Sequence, residues 1–78
     1  MNKSTLRSLR ATVDDLRDRE QTLSRIVESL RIVDRRGAAG VVLDHLISVL
    51  TKSIAHLADA RVSAQDAELE LSKLMGED

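Results

Sequence analysis

Apolar residues recur along this chain at alternating steps of three and four, and nowhere do they alternate in twos, so the pattern is helical throughout. With Leu6 at position a of a heptad, the a series runs Leu6, Val13, Glu20, Val27 and Asp34, and the d series is leucine four times over, at Leu9, Leu16, Leu23 and Leu30. A second frame starts at Leu43, with Leu43, Leu50, Leu57, Ala64 and Leu71 at a and Leu46, Ser53, Ala60, Ala67 and Leu74 at d. No proline interrupts either stretch. The pattern predicts helices over residues 4–36 and 40–75, joined by a turn at 37–40, as one domain spanning 1–78.

Between them lies Arg35-Arg36-Gly37-Ala38-Ala39-Gly40, which holds two of the three glycines. Glycine accepts the left-handed backbone that ends helices, and arginines in a last turn suit the negative end of the helix dipole, so the chain is expected to reverse here. Gly76 is placed to close the second helix. The competing arrangements are one continuous rod and a break at Ser63-Ala64-Gln65-Asp66, which has the form of a capping box.

Charge favours reversal. Lys3, Arg7 and Arg10 meet no acid in residues 1–13, whereas Asp66, Glu68, Glu70, Glu77 and Asp78 face Lys73 alone in residues 64–78. Antiparallel helices put those ends together. Two registers one heptad apart satisfy the seam. The preferred one sets Leu30 against Leu50, Leu23 against Leu57 and Leu9 against Leu71; the other sets Leu30 against Leu43 and leaves Leu71 and Leu74 overhanging. Glu20 interrupts the a series, and an isolated buried carboxylate is costly, so it is expected to reach Arg61, Lys52 or His56, or a wet edge, and to set the register.

The fold class expected is all-α: a coiled-coil-like antiparallel two-helix hairpin that dimerises into a four-helix bundle. Length and composition sharpen the second half of that expectation. Below roughly 80 residues one core seldom supplies more than about 3–5 kcal/mol, and with 78 residues and no cysteine neither a disulfide nor a thiolate metal site can help. The apolar residues near the turn also outnumber what one seam needs. Val42, Leu46, Ile47, Val49, Leu50 and Ile54, joined by Ile26 and Val33, form the expected dimer or partner face.

Other chemistries find little support. There is no nucleophile elbow, P-loop, HExxH or dinucleotide-binding glycine pattern, so no catalytic residue, cofactor or small-molecule substrate is assigned. His45 and His56 lie about 16 Å apart along one helix, too far to share a metal. Arg7, Arg10, Arg17 and Arg31 form a basic stripe able to contact a polyanion, but Asp14, Asp15 and Asp18 interleave with it, the net charge is -1, and no aromatic residue offers a stacking platform. Asp44, His45, Lys52 and His56 within Val41–Ala58 argue against a membrane span, and no apolar leader follows Met1, so the expected location is cytoplasmic.

Leu23-x-x-Ile26-Val27-x-x-Leu30 followed, across a polar connection, by Val42-x-x-x-Leu46-Ile47-x-x-Leu50 resembles the YmgB/AriR-type small helical regulators of enteric bacteria, over residues 20–52. The resemblance implies a dimeric regulator acting as a connector or anti-adaptor by binding other regulators. It carries no functional residue across. Departures are the regular heptads from Leu6 to Leu16 and the uninterrupted last helix. The expected function is therefore a non-enzymatic regulatory protein that masks or bridges a partner, such as a connector, an anti-adaptor or a phage-type inhibitor. The alternatives are a nucleic-acid-binding hairpin using the arginine stripe and a structural or assembly subunit.

Overall fold

The computed structural model describes residues 3–34 and 36–76, which form two α-helices: α1, Lys3–Arg31, and α2, Ala38–Leu74. The two pack along one another as an antiparallel hairpin measuring 59 × 16 × 14 Å. A continuous 78-residue rod would extend to about 117 Å, so the chain does reverse. Nothing breaks α2 at Ser63; it is a single helix across the capping-box sequence.

The reversal begins earlier than residue spacing suggests. α1 ends at Arg31, five residues short of the expected end, and Ile32 to Gly37 make the connection, in place of a turn at 37–40. The cause is local. The Asp34 carboxylate accepts the backbone N–H of Arg36 at 3.2 Å and lies 3.5 Å from its guanidinium, offering the chain a turn in competition with another helical turn. Arg31 is thus the basic residue of the last turn; Arg36 belongs to the connection, and Arg35 lies outside the described residues. Gly37 then takes φ 64°, ψ −145° as the N-cap of α2, and its carbonyl accepts the Gly40 N–H at 3.1 Å. Gly40 itself is helical and buried. At the far end Gly76, at φ 73°, follows Met75, whose N–H bonds the Leu71 carbonyl at 3.0 Å, so the expected closure of α2 is found.

Along α1 the inward row is the expected one: Leu6, Val13 and Val27 are buried, and Leu9, Leu16, Glu20, Leu23 and Leu30 are half-buried. On α2 only one of the two expected rows faces inward. Leu43, Leu50, Leu57 and Ala64 are half-buried and Leu71 buried, but the companion row is Ile47, Ile54, Arg61, Glu68 and Met75. Of the row expected there, Leu46, Ala60, Ala67 and Leu74 are exposed and only Ser53 is half-buried. Hydropathy alone prefers Ala60 to Arg61. The tertiary structure places Arg61 there, half-buried, with its guanidinium bonded to a carboxylate across the seam.

Gly37 occupies a region of backbone space that is almost closed to residues with a Cβ, yet a Cβ there would meet nothing within 4 Å. Gly37→Ala should therefore lower unfolding free energy by about 1–3 kcal/mol through backbone strain alone. Urea denaturation followed by circular dichroism measures this; a neutral result would mean the connection has other ways to turn.

Candidate functional site

Two ion pairs link the helices across the seam. Glu20 and Arg61 meet mid-hairpin: the Arg61 Nε donates to Glu20 Oε2 at 2.5 Å and Nη2 to Oε1 at 3.4 Å, while Nη1 donates to Gln65 Oε1 at 3.3 Å. With side-chain exposures of 15% and 24%, the two residues are partly buried. The hydrogen bonds that Arg61 donates to Glu20, aided by the carboxylate's charge, raise the Arg61 pKa above an ordinary arginine's despite partial desolvation, so the guanidinium stays cationic at every accessible pH. Nearer the open end, Arg10 Nε donates to Glu68 Oε1 at 2.9 Å. This is the basic start meeting the acidic end within one chain; Glu77 and Asp78, counted in that expectation, lie outside the described residues.

Both pairs match the register that sets Leu30 against Leu50, and Leu23 lines a shared recess with Leu57 as that register requires. A shift of one heptad would move Arg61 seven residues away from Glu20. Glu20 is thus not isolated: of its three expected partners it uses Arg61. His45 and His56 are exposed, and among the described residues no group of three or more potential metal-binding side chains converges.

The hairpin has two unlike flanks. On one, Arg17, Glu20, Gln21, Ser24 and Arg25 of α1 form an open groove of about 550 Å³ with Ile54 and Arg61 of α2. On the other, Arg19, Thr22 and Leu23 form a recess of about 240 Å³ with Leu57. Heptad steps extend this second flank toward the connection: Ile26 follows Arg19 by seven residues, and Leu46, Val42 and Val49 lie on the Leu57 side of α2. All four are exposed, from 42% for Ile26 and Leu46 to 57% for Val42. Ser53, on the same side, folds its hydroxyl back to the Val49 carbonyl at 3.1 Å, which leaves this flank apolar in character.

The expected interface residues therefore divide. Ile26, Val42, Leu46 and Val49 stand on the apolar flank, and Val33 is exposed in the connection, off the helix on which it was expected. Ile47, Leu50 and Ile54 are half-buried in the hairpin's own seam, Leu50 in the row of Leu43 and Leu57, and Ile47 and Ile54 in the row that brings Arg61 to Glu20. Two large apolar residues missed by the seam reading, Ile32 and Val41, are exposed at the same end at 88% and 73%. Of the arginine stripe, Arg10 pairs with Glu68 at 2.9 Å, Arg17 and Arg31 come within 3.9 Å of the exposed Asp14 and Glu28, and Arg7 is exposed. By length and composition α2 also contains a window apolar enough to cross a membrane, and much of that hydropathy comes from the exposed valines and leucine just named.

No family model, no curated protein and no solved structure matches the chain.

The central ion pair predicts an asymmetric response to substitution. Arg61→Leu alone strands the Glu20 carboxylate in the seam and should lower the thermal midpoint; Glu20→Leu with Arg61→Leu should regain or exceed wild-type stability while losing the single register. Thermal melts and the number of amide NMR peaks per residue report the two effects. If the double variant keeps one set of peaks, the pair does not choose the register.

Proposed function

We propose that this chain is a non-enzymatic regulatory protein that works through its apolar helical flank, pairing with a second copy into a four-helix bundle and masking or bridging a partner protein. The observation that carries the reading is the cluster of exposed Ile26, Val42, Leu46 and Val49, beside Val33, Ile32 and Val41, at the connection end of a hairpin whose own core is slight. Among the described residues only Leu6, Val13, Val27 and Leu71 are buried apolar side chains, which is little to hold 29 and 37 residues of helix in place.

Area points the same way. The accessible surface is 5660 Å², against about 4,700 Å² for a compact monomer of this mass. The excess of about 1,000 Å² is close to the roughly 800 Å² that each partner contributes to a standard interface. Helix pairs of this kind bury such surplus by packing face to face in bundles, and a twofold arrangement lets the same patch serve both copies. A connector, anti-adaptor or phage-type inhibitor role agrees with what the YmgB/AriR-type resemblance implies; competition between self-association and partner capture for one flank is its mechanism.

The nucleic-acid reading has less behind it, since Arg10 is held by Glu68, Asp14, Asp15 and Asp18 interleave with the stripe, and no aromatic residue offers a stacking platform. An assembly subunit would differ by growing beyond a closed bundle.

Light scattering coupled to size exclusion, across a wide concentration range, tests the proposal. Wild type should run at twice 8.6 kDa, and Leu46→Asp with Val49→Asp, which put charge into the apolar contact, should weaken self-association by more than about tenfold while preserving helicity. A double variant that associates like wild type would place the contact elsewhere, and open-ended growth would favour assembly.

A further inference from the structure

The groove on the polar flank has no part in that apolar contact, and its charge runs against that of the chain. Three guanidinium groups line it, Arg17, Arg25 and Arg61, against the single carboxylate of Glu20, in a chain of net charge -1. Arg61 is committed to Glu20, which leaves the other two in excess. Among the described residues Arg17 reaches one carboxylate, the exposed Asp14 at 3.9 Å, a contact too long for a good hydrogen bond. Arg25 has no carboxylate within ion-pairing distance among the described residues. Gln21 and Ser24 stand between them with neutral hydrogen-bonding groups, and Ile54 supplies an apolar patch.

From this arrangement we propose that the groove binds an acidic peptide segment of the partner protein, with Arg17 and Arg25 each taking a carboxylate. Arg17 and Arg25 are eight residues apart, about 12 Å along α1. An extended chain covers that distance in about four residues, so side chains of the same face reach both guanidinium groups. Arginine forks match carboxylates in two parallel hydrogen bonds, which gives orientation as well as attraction. No aromatic residue is present to stack a base, which favours peptide over single-stranded nucleic acid. The inference deepens the protein-binding function proposed above: it rests on that reading for the kind of partner, while its site lies on the opposite flank from the self-association contact.

Fluorescence anisotropy on the full chain provides the test, with a labelled oligo-glutamate peptide as probe and oligo-lysine and a single-stranded oligonucleotide of equal charge as comparisons. Oligo-glutamate should bind at low ionic strength, weaken as salt is added, and lose at least tenfold in affinity in Arg17→Glu with Arg25→Glu; oligo-lysine should not bind the wild type. Helicity by circular dichroism checks that the variant folds, and Arg25→Gln, which removes one charge without reversing it, should give a smaller loss in the same direction. Absence of oligo-glutamate binding at low salt, unchanged affinity in both variants, or tighter binding of the oligonucleotide through the same arginines would each overturn the proposal. The mass of the double arginine variant should equal that of wild type. If wild type proves monomeric yet binds oligo-glutamate through these residues, the self-association reading fails and the groove stands.

Discussion

Two ion pairs cross the seam between α1 and α2, and the one at mid-hairpin, Glu20 with Arg61, sits in half-buried rows of both helices. Leucine and valine layers repeat every seven residues, so sliding one helix by a heptad exchanges one apolar contact for another at small cost. Glu20 and Arg61 cannot be exchanged so cheaply. Moving them apart leaves a carboxylate and a guanidinium half-desolvated with no opposite charge, which costs far more than the difference between two leucine layers. The pair adds little to stability compared with an apolar layer of good fit, but its contact is made in this register and would be lost in the neighbouring one.

From that alignment the rest of the surface follows. Bringing Arg61 inward turns Ile47 and Ile54 inward with it, and turns Leu46 and Val49 out onto the opposite flank. The same rotation gathers Arg17 and Arg25 around a groove beside the ion pair. One apolar flank and one cationic flank thus arise from a single choice of helix face, and a hairpin only two helices wide keeps both accessible.

Helix existence, chain reversal and the α1 row were legible in the sequence because each depends on local pattern: leucines at heptad spacing, the absence of proline, and glycines in a short polar connection. The end of α1 was misplaced because periodicity continues through Val33 and Asp34, and the signal against it was the turn-forming Asp34 three residues before Gly37. The α2 row was misjudged for a different reason. Leucine, isoleucine and valine lie on both sides of the Leu43–Leu50–Leu57 row, so hydropathy cannot say which side is the seam. The available clue was the lone acid in the α1 row, Glu20, and a basic residue in phase with Ile47 and Ile54.

By itself the sequence determined two helices, their antiparallel sense and a surplus of apolar surface near the connection, since backbone propensity, heptad spacing and the charge of the two ends act at short range or sum over the whole chain. Only the tertiary structure decided which face of α2 turns inward, and hence which apolar residues remain exposed and where the arginines converge. The face that turns inward is the one that carries Arg61 to Glu20, forty-one residues apart, in a hydrogen-bonded contact that exists only once the helices lie side by side.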